Sequence, residues 1–407
     1  MTAISGVIVT GSTGFIGKHL IHFLLEKNYV VIATNRNNQP SILLDRSEEN
    51  QKLVHHFGCK MDQPETLHDL FETHRHDSQA IVHLAAIMDF HPLNSYSLKN
   101  GKKIMDRMRY VNIEGSKQLF KEFLESPEKK VFIYASSQAA MGPSEGSTPM
   151  DEDSPCHPVF EYGKSKLEAE KALQDMLREY QKNPIHGVKH LYILRFTGVT
   201  GSGDRYAAFE MIQASSFGIN SLAYPGNCDK GLISFVHIDD VCKAIQLCFE
   251  YSERNYQDTF SEIFIIGPRE SSTVKHILDV CCMNTGWPTP LFSIPLPVFR
   301  FMVGLMSPLI NWVRWMFFGI QRASFMFASD TIDCMEQNNA YSSQKAISKL
   351  RYNPLTCEEA FIKSIKEHIQ TNAIPNHQTV RKIRMSLLFG SIVTVSFCIV
   401  GLLYIKK

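Results

Sequence analysis

Residues 10–17 read Thr-Gly-Ser-Thr-Gly-Phe-Ile-Gly, directly after the apolar run Gly6-Val7-Ile8-Val9 and just before a helical pattern from His19 to Lys27. Glycines at 11, 14 and 17 in that setting constrain the fold more than any other feature of the chain. A strand must end in a tight turn, a helix must begin with its N–H groups open, and the last glycine must let helix and strand pack closely. Such a turn takes a pyrophosphate. Short β-branched runs then alternate with helix-length segments at Val30–Thr34, Ala80–Leu84, Val131–Ala135 and Leu191–Arg195. The alternation predicts βαβ crossovers and an α/β fold with a Rossmann-type, doubly wound parallel sheet. Proline-rich loops at Pro288-Thr289-Pro290 and Pro295-Leu296-Pro297 predict a smaller C-terminal substrate subdomain. The expected division is a dinucleotide-binding core over 1–205, a substrate subdomain over 206–371 interleaved with the last Rossmann elements, and a linker over 372–384.

The end of the second strand sets the expected cofactor. A site for NAD(H) wants an acid there to hold the ribose hydroxyls, and the chain has Thr34-Asn35-Arg36 instead. A guanidinium suits a 2′-phosphate, so NADP(H) is favoured and NAD(H) is the alternative.

Ser137 follows the fourth of these apolar runs, and Tyr162-Gly163-Lys164-Ser165-Lys166 follows it in turn. Tyr162 and Lys166 stand four apart, on one face of a helix. A phenol titrates near 10 when unperturbed, and a cation one helical turn away favours its ionised form, bringing it into range as an acid–base group. Asp239 and Asp240 are expected to cap and charge the start of a helix running to Phe249. Lys99, Lys102, Lys103, Arg107 and Arg109 read as a solvated helix face. His55, His56, His74 and His76 have no carboxylate or cysteine at ligand spacing, and no metal site is expected.

A length of 407 residues with 44% hydrophobic and 20% charged side chains excludes a fibrous or largely disordered chain. Lys+Arg 42 against Asp+Glu 41 leaves a net charge of +1, which is no footprint for nucleic acid. Ten cysteines without a C-x-x-C pair read as reduced thiols. From Met385 to Ile405 there are 21 residues without a charge, between Arg381, Lys382 and Arg384 on one side and Lys406 and Lys407 on the other. A helix of that length spans roughly 30 Å, so residues 385–405 are expected to be a single transmembrane tail anchor. The catalytic part then faces the cytosol, most naturally at the endoplasmic reticulum, with the mitochondrial outer membrane and a bacterial inner membrane as alternatives. A second apolar stretch, Leu296 to Gly319, is interrupted by Arg300 and Arg314 and carries Trp312 and Trp315. It is too short between charges to span, and reads as a helix pair at the membrane interface or at an apolar substrate entrance.

Taken in order, these blocks resemble an extended short-chain dehydrogenase/reductase of the NAD-dependent epimerase/dehydratase superfamily, and within it most resemble the 3β-hydroxysteroid dehydrogenase/isomerase family. The resemblance runs from about residue 6 to 370. It includes the glycine turn, His83-Leu84-Ala85-Ala86, Val111-Asn112-Ile113-Glu114-Gly115, Ser136-Ser137 and Tyr162 to Lys166. It continues through Leu194-Arg195-Phe196-Thr197-Gly198-Val199, Phe235-Val236-His237-Ile238-Asp239-Asp240 and Leu350-Arg351-Tyr352-Asn353-Pro354. By that resemblance Tyr162 is the general acid–base, Lys166 lowers its pKa and holds the nicotinamide ribose, Ser137 bonds the substrate oxygen, and Asn112 supports the site from its helix. Gly11, Thr13, Gly14, Phe15, Ile16, Gly17, Arg36, Leu84, Ala85, Tyr162, Lys166 and Val199 are the implied cofactor contacts. Three departures from the pattern stand out. Cys59 stands where an aspartate commonly contacts adenine, Phe196 replaces a proline, and Gln138-Ala139 stand where sugar-nucleotide dehydratases carry Asp-Glu. The resemblance implies a membrane-anchored oxidoreductase acting on a small lipophilic alcohol or ketone, most naturally a 3β-hydroxysteroid or sterol. A nucleotide-sugar epimerase or reductase is the alternative, a non-catalytic NADPH-binding scaffold the third reading, and a homodimer is compatible with each.

Overall fold

The computed structural model describes residues 4–36, 53–88, 98–144, 146, 148–226, 228–302, 304–305, 338–382 and 384–386. The chain divides into two compact units. The first comprises Met1–Val199, Ile233–Ser271 and Asn338–Cys357, and the second comprises Thr200–Leu232, Ser272–Gln337 and Glu358–Lys407.

The first unit is built on seven strands: β1 (Gly6–Thr10), β2 (Val30–Asn35), β3 (Val54–Gly58), β4 (Ala80–His83), β5 (Val131–Ser137), β6 (His190–Phe196) and β7 (Phe260–Ile266). Their order is β7-β6-β5-β4-β1-β2-β3, and every neighbouring pair is parallel. The strand order therefore reverses between β1 and β4, which is where such a sheet opens a crevice at its carboxyl edge. Central strands with both faces covered read as unbroken apolar runs, and β1 is buried along its whole length. Successive side chains serve opposite layers. Val7 and Val9 join Leu20 and Leu24 of α1 (Phe15–Glu26) and Val241 and Ile245 of α2 (Ile238–Arg254) in one core. Ile8 points the other way, into a core with Leu67, Leu70, Phe120 and Leu173.

The amino edge of the sheet is closed by two buried lysines. Lys129 Nζ donates to the carbonyls of His74 (2.9 Å), Arg75 (3.0 Å) and Ser78 (2.8 Å). Lys189 Nζ donates to those of Phe123 (3.0 Å), Ser126 (2.5 Å) and Lys129 (2.6 Å). Each ammonium thus bonds three carbonyls of a last helical turn or of the loop after it, where the regular ladders run out. At the start of α2 the expected caps are displaced: His237 caps the helix, its Nδ1 accepting from Asp239 N at 3.2 Å. Asp239 and Asp240 lie in the first turn, and Asp240 Oδ2 accepts from Leu355 N at 3.0 Å. The imidazole reaches the open N–H of Asp239 from two residues before it.

In the second unit, α3 (Ala207–Ser216) and α4 (Val274–Thr285) lie together, and Asp204 caps α3 through Oδ1 to Tyr206 N (2.8 Å) and Oδ2 to Phe209 N (3.2 Å). Tyr224–Pro225 pairs in parallel with Ser293–Ile294, and a helix begins at residue 296. Among the described residues no helix is long and apolar enough to cross a membrane. Residues 387–405 of the expected anchor, and 306–319 of the second apolar stretch, lie outside the described residues.

Candidate active site

The glycine turn leaves β1 with Gly11 at φ +70°, and a Cβ there would stand 2.9 Å from Ala85 N at the exit of β4. A Cβ on Gly17 would stand 2.3 Å from Gly11 O. Both glycines are therefore required by close backbone approach, and Gly11 also by a left-handed conformation. Gly14 is the N-cap of α1, no side chain caps that helix, and its first turn holds no acid. Thr13 and Gly14 are exposed, Phe15 and Ile16 half-buried. An open helix start without negative charge fits a pyrophosphate, and these residues fit a dinucleotide. Ser12 ties the turn to β2, its N (3.2 Å) and Oγ (2.9 Å) both donating to Thr34 O.

At the end of β2, Asn35 is buried and Arg36 exposed. Cys59, next to them through its N donating to Asn35 O at 2.9 Å, is buried, and burial pushes its thiol up to about 12. It remains a neutral, weak partner for any adenine.

Behind Leu84 and Ala85, both half-buried, lies a polar chain that spacing did not reveal. His83 Nδ1 is 2.7 Å from Thr10 Oγ1, and His83 Nε2 is 2.9 Å from Ser116 Oγ. Ser116 Oγ donates to Asn112 O at 2.7 Å, and Thr10 Oγ1 accepts from Ala85 N at 3.1 Å. Full burial drives the His83 imidazole down to about 3, with Lys166 adding repulsion, so it is neutral. Because the Ser116 proton is committed to Asn112 O, Ser116 accepts from His83 Nε2–H, and Nδ1 accepts from the Thr10 hydroxyl. One tautomer satisfies the whole chain.

Asn112 sits in a π-helical turn, Tyr110–Glu114. Its Oδ1 accepts from Ile87 N (2.9 Å), and its Nδ2 donates to Ile87 O (3.0 Å) and Ser165 Oγ (3.0 Å). Ser165 Oγ in turn donates to Tyr162 O at 2.7 Å. Asn112 thereby clamps the segment after β4 to the start of α5 (Glu161–Lys182).

Tyr162 and Lys166 lie on the buried face of α5, as their spacing requires. Lys166 Nζ donates to Ala135 O at 2.7 Å and lies 5.9 Å from the Tyr162 ring centroid and 4.7 Å from that of Tyr134. Burial lowers the Lys166 amine to about 7, against a raising influence from Glu170. Two residues along β5 from Ala135, Ser137 Oγ accepts from Ala139 N at 3.1 Å. Gly163 lets α5 come this close, for a Cβ there would meet Ala139 O at 2.0 Å. Ser137, Tyr162, Lys166 and Asn112 are thus held by one set of contacts at the carboxyl edge of β4 and β5.

Below them is a buried ion pair that sequence reading missed. Arg195 Nη2 donates to Glu170 Oε2 at 2.8 Å, Arg195 Nε reaches both Glu170 oxygens at 3.2 Å, and Ser136 Oγ donates to Glu170 Oε1. It binds α5 to β5 and β6. Val199 follows β6, half-buried, after Gly198, whose N donates to Ser234 O at 3.1 Å.

Among curated proteins, the chain is 25% identical to a dTDP-4-dehydro-6-deoxyglucose reductase of Escherichia coli over 278 residues, covering 68% of this chain and 80% of that protein. It is 25% identical to a UDP-glucose 4-epimerase of Halalkalibacterium halodurans over 312 residues, covering 71% and 83%. Among solved structures, UDP-glucose 4-epimerase of Thermotoga maritima with UDP-glucose aligns at TM-score 0.63 and 21% identity, over 90% of this chain and 99% of that one. MoeE5 in complex with UDP-glucuronic acid and NAD aligns at TM-score 0.61 and 20% identity, over 90% and 99%. By their names these four are enzymes of nucleotide-linked sugars or bind them, and they support the broader of the two resemblances read from the sequence. The NAD dependent epimerase/dehydratase family matches residues 7–267, a span that opens inside β1 and closes one residue past β7. All of the seven-stranded sheet but its first residue, with the crevice at its reversal point, falls within that match, and the chain belongs to the NAD dependent epimerase/dehydratase family.

Proposed function

We propose that this chain exchanges a hydride at a carbinol or carbonyl carbon of a nucleotide-linked sugar, as a reductase or an epimerase. The observation that carries the reading is the placement of Tyr162 and Lys166 on one buried face of α5, with Lys166 bonded to Ala135 O two residues from Ser137. The kinship with nucleotide-sugar epimerases and reductases supports the substrate class. Bound nicotinamide supplies the hydride acceptor or donor. Ser137 presents its hydroxyl to the substrate oxygen, and Tyr162 moves the proton on that oxygen. Lys166, directed by Ala135 O, favours the phenolate and holds the cofactor ribose. Asn112 fixes the Tyr162 end of α5 through Ser165. The glycine turn and the open start of α1 hold the pyrophosphate, with Leu84, Ala85 and Val199 bordering the rest of the cofactor. Gln138 and Ala139 offer no acid for eliminating water, so dehydration is disfavoured.

Family membership implies NAD. An exposed Arg36 at the end of β2, with no acid at 34–36, supports NADP(H) instead. Replacing Arg36 by Ala should weaken NADPH far more than NADH, and equal losses would remove the phosphate contact.

A second reading, a lipophilic secondary alcohol such as a 3β-hydroxysteroid, is favoured by one observation: the helix beginning at residue 296 turns apolar side chains to solvent. Both readings meet one experiment. Cofactor oxidation or reduction is followed for the full chain in detergent, with UDP- and dTDP-sugars offered beside sterol 3-alcohols and Tyr162→Phe as the blank. Turnover of a nucleotide sugar that vanishes in the blank is expected. Turnover confined to sterol alcohols would replace the first reading by the second, and tight cofactor binding without turnover of either would favour the scaffold.

A further inference from the structure

In the second unit, residues 296–302 and 304–305 are helical. Val298, Phe301, Met302 and Leu305 follow the i, i+3, i+4, i+7 spacing that gathers four side chains on one face. A helix ordinarily turns such a stripe towards a core. Here all four are exposed, Phe301 at 68% and Leu305 at 65%.

The stripe has neighbours of the same kind. The helix follows Ser293–Ile294, which pairs with Tyr224–Pro225 in the register Ser293↔Tyr224. Two residues before each partner stand Leu291 and Leu222, flanking the same end of the ladder, and they are 95% and 71% exposed. Scattered exposed leucines need no explanation, but four apolar side chains on one exposed helix face are a patch, and two exposed leucines at the ladder the helix follows add to the apolar surface of this segment; patches of this kind mark contact surfaces.

What covers it is indicated by the chain beside it. Trp287 lies over Gly218, where a Cβ would meet its ring at 2.7 Å, and its Nε1 donates to Ser216 O at 2.9 Å. Arg384 Nη1 donates to Gly286 O at 2.8 Å, with its guanidinium 5.9 Å from the Trp287 ring centroid. The segment leading into the uncharged run from Met385 to Ile405 is therefore held at Gly286, five residues before Leu291. Arg300, on the helix of the stripe, and Arg381, Lys382 and Arg384, in the segment tied to Gly286, are exposed. Two copies pressed together through the patch would bring like charges towards each other, whereas anionic lipid headgroups would neutralise them.

We propose that this face of the second unit rests on a lipid bilayer. The 298–305 stripe and the Leu222–Leu291 end enter the acyl boundary, and the basic residues lie at headgroup level. The inference is independent of which substrate the first unit takes.

The test reads depth at single positions in the full chain. Phe301→Cys and Leu291→Cys, with Ile185→Cys in the first unit as the exposed control, are labelled with an environment-sensitive fluorophore against the unsubstituted chain as background. Each is reconstituted into phosphatidylcholine–phosphatidylserine vesicles with and without brominated acyl chains. Quenching by the brominated lipid several-fold stronger at 301 and 291 than at 185 is expected. Equal quenching at all three positions would overturn the proposal. Probes at 301 and 291 shielded in a concentration-dependent way, with no quenching, would overturn it in favour of a second copy of the chain. The two patch positions lie on separate segments, so misfolding of one variant leaves the other to decide.

Discussion

Nδ1 of His83 and Oγ1 of Thr10, 2.7 Å apart, join the ends of β4 and β1 across the reversal point of the sheet. The imidazole is neutral because burial holds it down to about 3, against about 6.5 in an unfolded chain. The folded state therefore binds fewer protons than the unfolded state between those values. The stability tied to His83 is complete above about pH 6.5 and is lost as pH falls towards 3, with a limiting slope of about 1.4 kcal/mol per pH unit. His83→Phe keeps ring volume and removes both nitrogens. Urea unfolding should show it less stable at pH 7.5 by about 1–3 kcal/mol, since Thr10 and Ser116 each lose one hydrogen bond, yet less sensitive to acid than the parent. An unchanged acid slope would show that the imidazole is not the group responsible.

Gly17→Ala drives a methyl to 2.3 Å from Gly11 O, so the turn must open. Cofactor affinity should fall by about tenfold or more while α1 stays helical, since alanine favours a helix. Titration of cofactor fluorescence, paired with circular dichroism, separates the two effects.

Gly163→Ala acts on chemistry instead. Its methyl would stand 2.0 Å from Ala139 O, forcing α5 away from the turn after Ser137. A displacement near 1 Å in a catalytic arrangement costs about 10²-fold. The expected result is a kcat loss of that order that clearly exceeds any loss of cofactor affinity, because the glycine turn still holds the pyrophosphate; steady-state kinetics and equilibrium binding on the same preparation measure both.

Glu170→Gln leaves Arg195 buried and without its counter-charge. Removing one partner of a buried pair costs about 3–5 kcal/mol, whereas replacing both by apolar residues of similar volume is often neutral. Glu170→Gln should therefore unfold at clearly lower denaturant than Glu170→Leu combined with Arg195→Met. A single variant as stable as the parent would mean that water reaches Arg195.

The reach of the sequence followed the range of the physics. Tyr162 and Lys166 were legible because one helical turn joins them, and the glycine turn because strand, turn and helix are contiguous. β1, β2, β4, β5 and β6 announced themselves as apolar runs. The edge strands did not: β3 reads Val-His-His-Phe-Gly, and β7 begins Phe-Ser-Glu, because an edge strand is covered less and tolerates polar side chains. The Glu170–Arg195 pair, the His83 chain and the approach of Gly163 to Ala139 each join elements far apart in sequence, and no local spacing encodes them. Cys59 shows the reverse case, a departure visible in the sequence whose consequence, a thiol held protonated by burial, needed the fold.

Unit one is discontinuous, and that has a consequence for a chain emerging from the ribosome. β6 ends at Phe196, but its outer partner β7 begins only at Phe260, after the excursion Thr200–Leu232 into the second unit. At about 5–20 residues per second, roughly 3–13 s of translation separate the two. The glycine turn, Ser137, Tyr162 and Lys166 have all emerged by then, while the apolar strand His-Leu-Tyr-Ile-Leu-Arg-Phe waits with one edge bare. The nascent chain is most exposed to mispairing during that interval, at a strand that the finished protein covers completely.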